Sequence, residues 1–217
     1  MPMNVTLLIA HADDETLGAG GLIPKLIARG HKLQVVLASD GHIQARQEGI
    51  HNMDAFKEAC HLFGIDDLQY LHLEDQYFDK YPMAEISNKA MACMNAPDLI
   101  ITHSDTDLNR DHRIINEVAK IAGRPKHKPV SILGMEIGNT SRWNGQSFNA
   151  QLYVDITDTI ALKQKAFSLY ENEIRAFPYP YSSKGIEVLA QFRGMESGSQ
   201  YAEAYEVIRL HNQHIQF

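Results

Sequence analysis

Val5-Thr6-Leu7-Leu8-Ile9-Ala10 runs straight into His11-Ala12-Asp13-Asp14-Glu15, and the reading of this junction decides the fold. A continuous apolar run of that length matches a strand buried on both faces, as in a parallel sheet. It breaks at a cluster of acids and an imidazole, and residues 17–29 then read as a helix ending at Gly30. The alternation continues outward. Strands are expected over 33–38, 68–73, 98–102 and 130–137, with helices over 46–63, 83–94 and 112–122. A polar stretch over 138–149 shows no clear period and precedes an expected strand at 152–156 and a helix over 157–173. Pro178 and Pro180 bar a regular helix in the loop over 177–183. A helix over 184–192 and a strand over 206–210 close the chain. Strands alternating with crossover helices predict an α/β protein with a mostly parallel sheet. No linker divides the chain, so a single domain over residues 1–217 is expected, with about 138–217 adding the loops and helices that shape a pocket.

The 217 residues are 44% hydrophobic and 22% charged, which suits one well-cored domain and excludes disordered, collagen-like and coiled-coil classes. Acidic residues number 27 against 20 basic, a net charge of −7, with no Lys/Arg run. Nucleic acid is excluded as a partner on that balance. The two cysteines, Cys60 and Cys93, form no C-x-x-C pair, which predicts a reducing, cytoplasmic setting. The N-terminus lacks the basic and apolar regions of a signal peptide. No stretch reaches the roughly 18–20 apolar residues of a membrane span, so no membrane insertion is expected.

Ligands of an open parallel sheet sit beyond the carboxyl ends of its strands. Two loops there are rich in chemistry: His11–Glu15 after the first strand and His103–Arg113 after the fourth. An imidazole and a carboxylate three residues apart, His11 and Asp14, converge on one ion if the chain turns into a helix between them. Asp13 then points elsewhere within a few ångströms. Asp111-His112 at a helix start offers a second imidazole. Two imidazoles and one carboxylate leave open positions on zinc, the catalytic rather than the closed structural arrangement. Iron and manganese also accept such donors. The plainer reading makes Asp13 or Asp14 a helix N-cap and His11 a strand-end residue. Capping needs only one carboxylate, however, and leaves the second acid and the histidine unexplained.

The segment Ala10-His11-Ala12-Asp13-Asp14-Glu15 resembles the Ala-His-Pro-Asp-Asp-Glu signature of the PIG-L/LmbE-like zinc-dependent deacetylases. Thr102–Arg113 is similar to that family's second signature. Asp75-Gln76-Tyr77-Phe78-Asp79, Tyr153-Val154-Asp155-Ile156 and Ala202-Glu203-Ala204-Tyr205 also resemble family blocks. The resemblance implies a Rossmann-like three-layer α/β/α sandwich and hydrolysis of N-acetyl groups from amino sugars. By position it makes His11, Asp14 and His112 the zinc ligands, one ion per chain, and Asp13 the general base. Glu15 and Asp111 become supporting acids, Asp111 beside its neighbour His112.

Departures from the family pattern bear on substrate more than on hydrolysis. Ala12 replaces the signature proline, and Asn109 stands near a histidine thought to assist the oxyanion in some relatives. Pro178-Tyr179-Pro180-Tyr181-Ser182 resembles a Pro-His-Pro-Arg-Ser block with both His and Arg replaced by Tyr. Arg142-Trp143 stands where relatives often have Glu-Trp. Substrate contacts are therefore expected among Asp40, Arg46, Asp75, Asn109, Arg142, Trp143, Tyr179 and Tyr181, the aromatics stacking on sugar rings. His103 is expected to bond the backbone at its strand end.

The leading expectation is a cytoplasmic zinc hydrolase acting on a small N-acetylated sugar, free or nucleotide-linked. Hydrolysis of another short amide such as N-formyl, or sugar binding without turnover, are the alternatives, and a homo-oligomer is compatible with either. A nucleotide-binding reading of Gly18-Ala19-Gly20-Gly21 fails on the G-x-G-x-x-G spacing.

Overall fold

The computed structural model describes residues 2–42 and 51–214. In chain order its elements are β1 (Asn4–Ile9), α1 (Asp14–Ala19), α2 (Leu22–Ala28), β2 (Lys32–Ser39), α3 (Met53–Phe63) and β3 (Asp67–Leu73). A 3-10 turn at Phe78–Lys80 leads to α4 (Met83–Cys93), β4 (Leu99–His103), α5 (Arg110–Ala122) and β5 (Ser131–Met135). The chain then forms α6 (Thr140–Trp143), β6 (Leu152–Asp155), α7 (Ile160–Phe167), α8 (Ser183–Ser197) and β7 (Ala202–Arg209).

The strands form one sheet in the order β3-β2-β1-β4-β5-β7-β6. The first five are parallel to their neighbours. Only β7 runs against β5 and β6. The chain builds outward from β1 to β3 and then crosses back to lay β4 on the other side of β1. The carboxyl ends of β1 and β4 therefore flank a topological switch point, where open α/β sheets bind ligands.

The period-2 alternation of β1 divides the core between two layers. Val5, Leu7 and Ile9 face Leu22 and Leu26 of α2, Phe56 of α3 and Phe167 of α7. Leu8 and Ala10 face Ile86 of α4 and Ile115 and Val118 of α5. Helices on both faces of a mostly parallel sheet make the three-layer α/β/α sandwich expected from the sequence.

Several element boundaries differ from expectation, each for a local reason. The helix expected over 17–29 is two helices, broken at Gly20-Gly21. There the Glu203 carboxylate from β7 accepts the amides of Gly21 (2.7 Å) and Leu22 (2.9 Å), opening α2 afresh. The helix expected from 46 begins at Met53, because His51 pairs with His42 in an antiparallel bridge. The earlier part of that expectation lies outside the described residues. Helix α7 ends at Phe167 instead of 173, since Tyr170 turns into the core to donate to Glu15 Oε1 at 2.5 Å. Helix α8 runs past 192 to Ser197 and stops at Gly198, whose φ of 80° suits glycine. The last strand starts four residues earlier than expected, at Ala202. The stretch over 138–149 contains the short helix α6. Cys60 and Cys93 are free, and no described helix is long and apolar enough to cross a membrane.

Glu203 carries much of this architecture. Besides the two α2 amides it accepts Lys163 Nζ at 2.6 Å and Tyr205 Oη at 2.7 Å. Both members of the ion pair are buried. Breaking such a pair from one side strands a charge in a dry interior. Glu203→Ala is expected to cost about 3–5 kcal/mol, read as a lower urea midpoint with an unchanged slope. A midpoint equal to that of the wild type would refute this account.

Candidate metal centre

The centre is built from the two loops at the switch point. Leaving β1, the chain makes an abrupt turn in which Asp13 adopts φ 128° and ψ −22°, a region L-residues rarely occupy. Thr16 and Leu17 already donate their amides to Asp13 O, at 3.0 and 2.9 Å, so α1 starts at once. The Asp13 side chain makes no capping bond to α1. Asp14 folds back instead, its Oδ2 accepting the His11 amide at 2.7 Å. On the other side Asn109 caps α5 by accepting the Asp111 amide at 2.9 Å, which sets His112 in the first helical turn.

These turns bring three donors together. His11 Nδ1 lies 3.1 Å from His112 Nε2. Asp14 Oδ2 is 3.8 Å from His11 Nδ1, and its Oδ1 is 3.5 Å from His112 Nε2. A tetrahedral zinc ion with bonds of about 2.0–2.1 Å needs donors about 3.3–3.4 Å apart. The spacing and chemistry of this set fit a zinc-like dication with one coordination position left over.

The supporting acids are distributed differently from expectation. Asp111 lies beside His11, with its Oδ2 3.2 Å from His11 Nε2, and not against its sequence neighbour His112. Helix geometry explains this: adjacent residues on α5 diverge by about 100°. Asp111 also accepts the amides of Gln76 (2.7 Å) and Phe78 (3.2 Å), pinning the loop after β3 to the centre. That loop delivers Asp75, whose Oδ1 is 3.1 Å from His11 Nε2. His112 faces Asp107, which the sequence reading passed over although it stands within the second signature, with Oδ2 3.0 Å from Nδ1. Glu15 touches no candidate ligand. It accepts the Asp13 amide at 3.2 Å and the Thr16 hydroxyl at 2.6 Å, bracing the strained turn from behind. His103 accepts the Ala10 amide at 2.9 Å and stacks on His112 with ring centroids 4.0 Å apart.

Electrostatics follow from this crowding. Burial, reinforced by Asp14, Glu173 and Glu15, pushes the Asp13 carboxyl well above the usual carboxylate range. Burial raises Asp14 despite the opposing effect of His112 and His11. Glu15 is pushed up to about 7 by burial, against its hydrogen bonds from Thr16 and Tyr170. Burial would lower His11 and His112, but facing carboxylates reverse this and raise both. His11, Asp13, Asp14, Glu15 and His112 are thus all shifted toward their protonated forms, the behaviour of groups crowded by negative charge.

A cleft of about 470 Å³ opens over the centre and is lined by His11, Asp13, Asp14 and His112. Its wall holds three of the expected aromatics: Trp143 and Tyr179, 5.6 Å between centroids, and Tyr181, 5.5 Å from Tyr179. Burial, then Asp13 and Asp14, raises the Tyr181 phenol, which stays a hydrogen-bond donor. Asp75 and Asn109 also line the cleft. So do Asn52 and Glu173, joined by a 2.9 Å hydrogen bond and not singled out from the sequence, where 173 reads as a helix end. Two candidates are placed elsewhere. Asp40 folds onto its own loop by accepting the His42 amide at 2.9 Å, and Arg142 donates to Ser147 and lines a separate groove beside α8. Arg46 lies outside the described residues.

The model of the PIG-L family, described as GlcNAc-PI de-N-acetylase, matches residues 6–122. Among solved structures the fold is similar to N,N'-diacetylchitobiose deacetylase from Pyrococcus horikoshii, with 20% identity and a TM-score of 0.79 over 95% of this chain and 84% of that one. It is also similar to teicoplanin deacetylase, with 14% identity and a TM-score of 0.74 over 96% and 99% of the two chains. A 4-carboxy-2-hydroxymuconate hydratase from Pseudomonas putida shares the fold too, with 18% identity and a TM-score of 0.72 over 97% and 98%. At these identities the structures speak for the fold alone. The family match extends over more than half of the sequence and takes in both loops of the centre, so the chain belongs to the PIG-L family.

Proposed function

We propose that this protein is a metal-dependent hydrolase that removes an N-acetyl group from an amino sugar, with zinc as the ion. His11, Asp14 and His112 hold the ion in this reading, and Asp13 is the general base. The observation that carries it is the meeting of two imidazoles and a carboxylate, at 3.1–3.8 Å, beside a buried carboxylate that caps nothing. Membership of a de-N-acetylase family supports the same reaction. Free cysteines are consistent with a reducing cytoplasm.

When bound, the ion supplies Lewis-acid polarisation of the acetyl carbonyl and makes water more acidic. Asp13 accepts the proton of the attacking water, and its raised affinity for protons suits it to hold that proton and pass it to the departing amine. Asp75 and Asp111 keep His11 oriented through Nε2. Trp143, Tyr179 and Tyr181, from the region beyond 138, supply a wall for the sugar ring, and Tyr181 adds a hydroxyl donor. Asp13 caps nothing and faces the cleft beside the candidate ligands, which favours turnover over sugar binding alone.

Two measurements test the reading. Protein purified without chelators is expected to carry about one zinc per chain, and His112→Ala to lose it. Equal metal content in both, or none in either after zinc is supplied, would remove the ligand assignment. Asp13→Asn is expected to retain the metal while acetate release from N-acetylated sugars falls about 10²–10⁴-fold. Near-normal turnover in that variant would dismiss Asp13 as the base. Release of formate but not acetate would redirect the proposal to another short amide.

A further inference from the structure

Asp107 is a buried acid that does not line the cleft, yet it meets two functional elements at once. Its Oδ2 lies 3.0 Å from His112 Nδ1, the ring nitrogen turned away from the other candidate ligands. That buried nitrogen makes no aligned hydrogen bond among the described residues, and the Asp107 carboxylate is the charged group that faces it at this distance. The same Oδ2 accepts the Thr140 hydroxyl at 2.7 Å, while Oδ1 accepts the Asn109 amide at 2.8 Å. Thr140 opens α6, the four-residue helix that ends in Trp143 on the cleft wall.

A helix that short has no stability of its own. Its position rests on ties to the loop that precedes α5. Besides Thr140–Asp107, Ser141 Oγ meets Thr106 Oγ1 at 2.8 Å and Asn144 Nδ2 donates to Thr106 O at 3.2 Å. The Thr140 hydroxyl lies 2.7 Å from Asp107 Oδ2 and 2.8 Å from Ile137 O, so it ties the start of α6 both to that loop and to its own preceding turn. One carboxylate thus faces the outer nitrogen of His112 and bonds the residue that opens α6.

We propose that Asp107 is a positioning residue that orients His112 for the metal and, through Thr140, couples metal binding to the order of α6. The proposal rests on the reading of His112 as a metal ligand. Because coupling free energies are reciprocal, whatever orders His112 also orders α6, and the reverse. Metal binding then stabilises the Trp143 wall, and the seating of α6 favours metal binding.

The test uses the full chain as wild type, Asp107→Asn, Thr140→Val and Thr140→Ser, with zinc affinity read by competition against a chromogenic chelator. Asp107→Asn is expected to weaken zinc binding about 10–100-fold. Thr140→Val, which keeps size and loses the hydroxyl, should weaken it several-fold, and Thr140→Ser should restore it. Hydrogen exchange of the 139–144 amides should slow on adding zinc to wild type and to Thr140→Ser, but not to Thr140→Val. Circular dichroism checks that Asp107→Asn folds, and the Thr140 pair decides the matter if it does not. Wild-type affinity in folded Asp107→Asn, or zinc-induced protection of α6 that survives in Thr140→Val, would overturn the coupling while leaving the metal site standing. Failure of the wild type to bind zinc would bring down both readings.

Discussion

Everything at the centre depends on the backbone of Asp13. A residue held at φ 128° between a strand and a helix lets His11 and Asp14 turn toward one point while the carboxylate between them turns into the cleft. An ordinary helical turn there would send these three side chains to separate places. Such a conformation costs about 1–3 kcal/mol and must be held by its surroundings. Glu15 provides the hold by taking the Asp13 amide, and Glu15 is itself fixed by Thr16 and by Tyr170 from the far side of the core. The early end of α7 is part of this device, since a helix continuing past Phe167 would carry the Tyr170 hydroxyl away from Glu15.

The second constraint is charge. Asp13, Asp14, Glu15, Asp75, Asp107 and Asp111 are all buried within the loops around the switch point. Buried carboxylates are tolerated when paired or when they coordinate metal. Two nearby imidazoles, His11 and His112, can take protons, but His103 accepts an amide through Nε2, and burial drives it well below its ordinary value. The protein has therefore gathered more negative charge than its own cations at the centre balance. A dication held by His11, Asp14 and His112, as proposed, would relieve that excess and give a reason for so many acids in one buried place.

The fold was legible because β1 is unambiguous: six apolar or small residues buried on both faces, ended by polar residues, announce a parallel strand and a site at its end. The donors were legible for the same reason, since each lies within a few residues of a strand end or a helix start. What the sequence hid was set by contacts distant along the chain. Gly20-Gly21 reads as a harmless interruption until Glu203 arrives from β7, 182 residues away, to accept the Gly21 amide. Asp111 stands beside His112 in sequence but serves His11, a matter of helix rotation that adjacency conceals. Asp107 was in view within the signature, and only its distance to His112 Nδ1 separates it from an ordinary loop acid. Arg142 was expected among the substrate contacts, yet α6 turns it toward Ser147 while presenting Trp143 to the cleft.

The boundary of the family match divides the site in an informative way. Residues 6–122 contain most of β1, all of β4 and α5, and every side chain of the candidate metal centre. The cleft's aromatic wall comes from beyond that boundary, on α6 and on the loop before α8. In the proposed reading the metal-holding side chains and the aromatic wall thus occupy different stretches of one chain. Such a division lets a fold keep its chemistry while its wall changes, and the two tyrosines where the family block has His and Arg are a change of that kind. Asp107 bridges the division: it belongs to the matched segment, yet its Oδ2 reaches across to Thr140 beyond it. The wall must still be seated on the centre, and the ties of Asp107 and Thr106 to α6 are where the two stretches meet.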